Sequence, residues 1–343
     1  MDDIAAIRTG EELNTTALSE FLTDKLEGVS EGITLQQFPG GHSNLTYLLK
    51  TPAREYVLRR GPLGPVPPKA HDMAREFRVL EAVHPVFGPA PQVFVLCEDT
   101  SVIGAVFFIM ERRRGIVVRS SIPDELAAFP NYPQRVSRGF LDCLIELHAV
   151  DIDKHGLASL GKPAGFLDRQ VRGWFDRWQR AKTEEAPEMD RLIRWLGENL
   201  PISPAPALVH NDFKLDNVML NSTDPGQVEA VLDWEMSTVG DPLVDLGLIL
   251  CYWSQPSDPG GAKTALTMQP GWFTQSQLIE YYAAHTGRDV SHISYYEVFA
   301  IFKLAVVLQQ IYYRFHRGQT QDERFRNFDQ RVRRLIDLAM QKL

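Results

Sequence analysis

A chain of 343 residues can bury a large core and, on length alone, form two or three domains. Its composition, 44% hydrophobic and 23% charged, is that of an ordinary globular protein and excludes a disordered or fibrous one. A formal charge of -8 argues against nucleic acid or an anionic membrane surface as partner, and the sparse Cys97, Cys143 and Cys251, with no C-x-x-C pair, point to reduced thiols in a cytoplasmic compartment.

The opening segment, MDDIAAIRTG, carries acids and no apolar core, so no signal peptide is expected. Residues 1–30 are polar apart from Leu18, Phe21, Leu22 and Leu26, which mark a short amphipathic helix lying on the first lobe. Ile33–Phe38, Leu45–Lys50 and Glu55–Arg60 read as strands. Between the first two stands Pro39-Gly40-Gly41-His42-Ser43-Asn44. A glycine pair there is either a plain hairpin turn or a cover whose N–H groups approach a phosphate. Alternation in the third strand puts Val57 and Arg59 on one face and Tyr56, Leu58 and Arg60 on the other. Gly61–Lys69 is a Pro/Gly loop. The spacing of Met73, Phe77, Leu80 and Val83 predicts a helix over Asp72–Val83, with Glu76 on another face. Val93–Leu96 and Ala105–Glu111 complete a sheet, followed by Arg112, Arg113 and Arg114, which either are solvated or face an anionic part of a substrate.

From Ile116 the pattern turns helical. Phe140, Leu144, Leu147 and His148 share one helix, where His148 reads as a packed core histidine. Leu167, Val171, Trp174 and Trp178 mark a helix over Gly165–Lys182, whose polar side holds Arg169, Arg172, Arg177 and Arg180 as a solvated basic face. Leu243–Trp253 is an apolar helix, Ser257–Gly271 a Pro/Gly loop, and Thr274 with Gln277 a capping box for Gln275–His285. Ser294–His316 reads as a buried central helix; its apolar stretch Val298–Leu308 is interrupted by Lys303 and too short to span a bilayer. Phe328, Val332, Leu335 and Ala339 mark a last surface helix.

The chemistry concentrates between Leu208 and Gly247. LVHNDFKLDNVMLN holds His210, Asp212, Lys214 and Asn217 in an H-x-D-x-K-x-x-N spacing, and VEAVLDWEMSTVGDPLVDLG holds Asp233 after an apolar run. Phosphoryl transfer needs one carboxylate toward the attacking hydroxyl, here Asp212. It also needs oxygen ligands for magnesium on the nucleotide phosphates, here Asn217 and Asp233. Lys214 is placed to neutralise charge on the transferred group, and His210 braces the loop. The VML and AVL runs around Asn-Ser-Thr-Asp-Pro-Gly form a strand hairpin. Asp241 and Asp245 read as structural carboxylates tying the second loop to the first. No histidine cluster has the spacing of a metal hydrolase.

These residues resemble the catalytic and metal-binding loops of the aminoglycoside phosphotransferase family, a branch of the protein-kinase-like fold. More narrowly, the chain is similar to the kinase-like domain associated with certain acyl-CoA dehydrogenases. The resemblance implies an α+β, two-lobed fold, with a nucleotide-covering lobe over 1–111 and a helical catalytic lobe over 112–343. It implies ATP and Mg2+ as cofactors, with Gly40, Gly41, Ser43 and Asn44 covering phosphate. Arg59 stands where the third-strand cation sits, beside Val57; the alternative for Arg59 is a solvated strand edge. Glu76 would pair with Arg59, or else is a surface acid. Met110, Glu111 and Arg112 would form the adenine-facing hinge. The implied acceptor is a small-molecule hydroxyl, on a hydroxyacyl-CoA or hydroxy-acid derivative or on an aminoglycoside, with association to an acyl-CoA dehydrogenase as a partner. A non-catalytic nucleotide-binding module is the remaining alternative, and the intact Asp212, Asn217 and Asp233 weigh against it.

Overall fold

Alternating apolar residues in the first hundred positions build a sheet, and 3.6-periodic residues in the later half build a helical body. The computed structural model describes residues 4–39, 44–62, 72–119, 121–253 and 265–343. Its contacts divide the chain into two units. One comprises Met1–Ile116, Asn217–Asp224 and Val228–Ser237; the other comprises Val117–Asp216, Pro225–Gln227 and Thr238–Leu343. The first therefore extends past residue 111 and takes in most of the hairpin after the catalytic loop.

The first unit holds an antiparallel sheet in the order β1-β2-β3-β5-β4. The strands are β1 (Thr34–Gln37), β2 (Leu45–Lys50), β3 (Glu55–Arg60), β4 (Val93–Cys97) and β5 (Phe107–Glu111). One face carries Tyr47, Leu49, Tyr56, Leu58, Phe107 and Ile109, packed with Leu18 and Leu22 of helix α1 (Thr15–Leu22). The opposite face of β3 presents Val57 and Arg59, and helix α2 (Met73–Val83) supplies Arg59's partner there. Asp72 caps α2 by accepting from the Arg75 amide. The buried face of α2 runs through Met73, Glu76, Val79, Leu80 and Val83, with Phe77 only half-buried. The apolar spacing 73/77/80/83 therefore misplaced Glu76, which lies on the buried face itself. An apolar template cannot register a carboxylate that is buried because it is paired.

A short strand β6 (Ile116–Val117) leaves the sheet. The second unit contains α3 (Asp124–Ala127), α4 (Tyr132–Ala149), α5 (Phe166–Ala181), α6 (Pro187–Glu198) and an antiparallel pair, β7 (Ala207–Val209) with β10 (Thr238–Gly240). The hairpin strands β8 (Val218–Leu220) and β9 (Val228–Val231) belong to the first unit. Then follow α7 (Leu243–Tyr252), α8 (Gln275–Thr286), α9 (Ile293–His316) and α10 (Phe328–Gln341). The expected capping box at Thr274 and Gln277 opens α8. Helix α9 is the core, packed against α5, α7 and α10. At 24 residues it is long and apolar enough, by length and composition only, to cross a membrane, unlike the shorter run read from the sequence. Its inner turns are buried inside the second unit, among them Phe299, Phe302 and Val306. Gly247 explains the close approach of α7 to α9: a Cβ there would stand 2.5 Å from the Tyr296 carbonyl oxygen. In α10 the buried face passes through Ile336, with Leu335 half-buried. Cys97, Cys143 and Cys251 form no disulfide. The expected loops at Gly61–Lys69 and Ser257–Gly271 lie largely outside the described residues.

Candidate active site

In the first unit, two carboxylates far apart in the sequence, Glu76 and Asp233, converge on the guanidinium of Arg59. Arg59 Nε donates to Glu76 Oε2 at 3.1 Å, and Arg59 Nη2 donates to Asp233 Oδ1. Strand alternation aims Arg59 at α2, and the β8–β9 hairpin delivers Asp233. Burial opposes the Arg59 charge, but Glu76, Asp233 and Glu235 outweigh it and raise its pKa. Burial also pushes Glu76 upward, aided by Asp233 and Glu235 and opposed by Arg59. Arg59 is thus no solvated strand edge, and Glu76, 1% exposed, is no surface acid.

The hairpin also places Asn217 beside Asp233. Val218 pairs with Val231, and the Leu232 amide donates to the Asn217 carbonyl at 2.8 Å. Asp233 has φ 69°, a left-handed backbone that a non-glycine residue adopts only under the constraint of its surroundings. Trp234 supplies part of that constraint: it is fully buried, bonds the Val231 carbonyl at 2.8 Å and packs edge-on against Phe87. Arg75 of α2 donates to the carbonyls of Glu235 and Ser237, fastening α2 to the turn after Asp233. Nothing in the sequence singled out Arg75, because its partners are backbone atoms some 160 residues away.

Among the described residues no group of three His, Cys, Asp or Glu side chains forms a protein-only metal cage. One carboxylate and one amide on a paired hairpin fit a hard cation that takes its other oxygens from phosphate and water. Asn217 and Asp233 therefore suit magnesium carried on a nucleotide.

Of the other expected nucleotide contacts, Gly40, Gly41 and Ser43 lie outside the described residues. Asn44 is buried and donates to Glu235 Oε2 at 3.2 Å. Val57 and Met110 are cross-strand neighbours, and the Glu111 amide donates to the Gln92 carbonyl at 2.8 Å. The arginines that follow are engaged by acids of the same unit. Arg112 and Arg114 pair with Glu55, and Arg113 pairs with Glu111 and Glu229. Each of the three is thus paired with an acid of the same unit.

In the second unit the loop that carries His210, Asp212 and Lys214 leaves β7 and is held by Asp245 of α7. Asp245 accepts the His210 amide at 2.7 Å and the Asn211 amide at 2.6 Å. His148 Nε2 lies 3.2 Å from the same carboxylate, and its Nδ1 lies 2.8 Å from the Tyr282 hydroxyl. Burial would raise the Asp245 pKa, but the His148 bond, the His148 and His210 rings and the backbone donor lower it overall. The expectation that Asp245 ties the loops together holds. Asp241 does something else: it accepts from the Tyr296 hydroxyl at 2.7 Å and from the Leu243 amide at 3.0 Å, and burial raises its pKa. His148 is buried as expected, and belongs to the loop's support as well.

His210 is fully buried and accepts the Asp212 amide on Nδ1 at 3.3 Å, which braces the loop. Asn211 has φ 65°, the second left-handed non-glycine residue of the motif. The Asp212 carboxylate takes Lys214 Nζ at 2.7 Å, and both side chains are 22% exposed. Beside them Phe140, Leu215, Ile249, Tyr252 and Trp253 line a small cavity that Lys214 and Asp216 complete. Along α5, Arg172 pairs with Asp168 at 2.9 Å, Arg169 bonds the Lys162 and Ala164 carbonyls, and Arg177 lies over Trp174, an exposed basic face as expected.

With this geometry in place, comparison with known proteins decides the family. A family model described as "Phosphotransferase enzyme family" matches residues 34–274, more than half of the chain. The chain belongs to the phosphotransferase enzyme family. It is similar to acyl-CoA dehydrogenase family member 10 of Mus musculus, at 35% identity over 308 residues. That match covers 88% of this chain but 28% of the mouse protein, so the chain spans about a quarter of that relative's length. A crystal structure from Ralstonia eutropha JMP134, provisionally described as an aminoglycoside phosphotransferase, superposes with a TM-score of 0.81. It is 30% identical over 96% of this chain and 98% of that one. The aminoglycoside phosphotransferase APH(4)-Ia, a thermostable mutant in a ternary complex with AMP-PNP and hygromycin B, shares the fold. Its TM-score is 0.60 at 18% identity, covering 95% of this chain and 98% of that one. The phosphotransferase therefore has the two-lobed, kinase-like α+β fold that the motif implied.

Proposed function

We propose that this phosphotransferase moves the γ-phosphoryl of ATP, with Mg2+, to a hydroxyl of a small molecule. The observation that carries the reading is the pairing of Arg59 with both Glu76 and Asp233, on a hairpin that also holds Asn217. A cation held by two carboxylates, one of them on the hairpin that carries Asn217, supports a site for polyphosphate and a divalent ion. Asp233 and Asn217 would hold magnesium, and Arg59 would contact the nucleotide phosphates while Glu76 fixes its direction. Gly40, Gly41, Ser43 and Asn44 are assigned to the phosphate cover, and Val57 with Met110, Glu111 and Arg112 to the adenine side. Bound nucleotide and magnesium would supply the transferable phosphoryl group and neutralise its charge.

Asp212 acts as the base. It orients the acceptor hydroxyl and takes its proton as the new O–P bond forms and the bond from the γ-phosphorus to the bridging oxygen breaks, with ADP as the leaving group. Lys214, already paired with Asp212, turns to the transferred group as charge builds there. His210 remains a brace. For the acceptor, we infer a hydroxyacyl-CoA or related hydroxy acid, because a relative covering nearly the whole chain is named an acyl-CoA dehydrogenase family member. Association with such a dehydrogenase and a cytoplasmic location follow as parts of the same proposal.

The test is ATP consumption by the full chain over a panel of hydroxyacyl-CoAs, free hydroxy acids and aminoglycosides, with and without magnesium. Magnesium-dependent turnover on the first class supports the proposal. Preference for an aminoglycoside would replace the acceptor, and nucleotide binding without turnover on any hydroxyl would turn the reading to a regulatory module.

A further inference from the structure

We propose that Lys303 is a positioning residue of the catalytic loop: its buried ammonium holds the Asn211 carbonyl and so fixes the peptide that leads into Asp212. The proposal rests on the phosphotransfer reading above and concerns how the base is held ready.

Lys303 interrupts the apolar run of α9, and it is only 8% exposed. Lysine is almost never buried to that degree without a carboxylate partner. Among the described residues Lys303 makes no ion pair. Its Nζ donates to the Asn211 carbonyl at 2.6 Å and lies 5.5 Å from the Trp174 ring centroid on α5. The Asn211 carbonyl belongs to the peptide that leads into Asp212. The amide of that same peptide goes to His210 Nδ1 at 3.3 Å. The preceding amide, that of Asn211, goes to Asp245 at 2.6 Å. The left-handed Asn211 is thus gripped at both its N–H and its C=O, and the carbonyl grip comes from Lys303. A non-glycine residue in this conformation persists only where its surroundings over-determine it.

The charged groups facing the ammonium are Asp212 and Lys214 from the loop, Asp245 from α7 and Arg177 from α5. Burial is the largest influence and depresses the Lys303 pKa to about 8, against the attraction of Asp212 and Asp245. A buried charge without a carboxylate partner costs stability, and a packed apolar residue would serve α9 better. Residues that cost stability and persist are the ones expected to serve function. The charge-assisted bond to Asn211 weakens once the ammonium loses its proton.

The experiment compares wild type, Lys303→Met and Lys303→Arg as full chains, over pH 6 to about 9.5, by kcat, KM for ATP and melting temperature. We expect Lys303→Met to lower kcat at least tenfold at neutral pH, leave KM for ATP within about twofold, and not lower the melting temperature. The wild-type kcat should fall as pH rises through about 8, and Lys303→Arg, which keeps its proton, should lack that fall. A kcat within twofold of wild type in Lys303→Met overturns the proposal. So does a melting temperature that falls together with ATP affinity, the mark of a merely structural residue. If Lys303→Met does not fold, the pH profiles decide: a wild-type rate flat to pH 9.5, or an alkaline fall retained in Lys303→Arg, overturns it. If wild type transfers phosphoryl to no acceptor and not to water, the phosphotransfer reading has failed instead. Amide exchange at Asn211 and Asp212 then tests the clamp alone: faster exchange in Lys303→Met supports it, and unchanged exchange overturns it.

Discussion

Arg59 and Glu76 meet at 3.1 Å, although one is on a strand and the other on a helix across a stretch of seventeen residues. The same guanidinium reaches Asp233, so one side chain links the sheet, the helix and the hairpin. Arg59→Met should therefore weaken nucleotide binding more than it slows transfer. A charge-assisted hydrogen bond contributes about 1.5–3 kcal/mol, so KM for ATP should rise roughly tenfold to a hundredfold. Glu76→Gln, which keeps the shape but frees the guanidinium, should give a smaller rise in the same direction. Initial rates over an ATP series measure both.

Asp233→Asn should abolish magnesium-dependent turnover. The carboxylate is the charged oxygen of the hairpin pair, and the neutral amide leaves only dipoles for a divalent cation. Isothermal titration of nucleotide with and without magnesium checks this. A variant that still binds nucleotide more tightly with magnesium would remove Asp233 from the metal site.

Asp245 satisfies two buried amides and His148, so its replacement by Ala leaves donors without acceptors. We expect a loss of about 2–5 kcal/mol in urea unfolding at pH 7. The Asp245 pKa is lowered by folding, so its contribution is complete above the ordinary carboxylate value near 3.9. It is lost as pH falls through the lower folded value. The gap between wild type and variant should therefore close in acid. A gap that stays constant down to the acid-unfolding limit would mean that the Asp245 charge contributes nothing.

Much of the fold was legible because its signals are local. Leu45–Lys50 and Glu55–Arg60 match their strands to the residue, since period-two alternation sets which side faces the α1 layer. The capping box of α8 and the hairpin around 221–226 are likewise short-range. The catalytic motif was legible because its residues stand close together in sequence. What escaped depends on distant partners. Glu76 was read off the buried face because Arg59 and Asp233, which let it be buried, are invisible to periodicity. The charges of Arg112 and Arg114 looked available until β3 brought Glu55 beside them. Asp241 was assigned to the loop, whereas its partner is Tyr296 on α9. Lys303 did leave a trace, as a lone cation inside an apolar run, and that trace marks the residue gripping Asn211.

The proposed transfer depends most directly on Asp212. Asp212→Asn keeps the shape and removes the charge that, in the proposed transfer, takes the acceptor proton. Calorimetry of ATP binding and steady-state kcat should be measured together on this variant. A positioned base contributes about 10²–10⁴-fold, so kcat should fall at least about a hundredfold while ATP affinity stays close to wild type. A surviving kcat with collapsed ATP affinity would make Asp212 a nucleotide-site residue and contradict the proposed transfer chemistry.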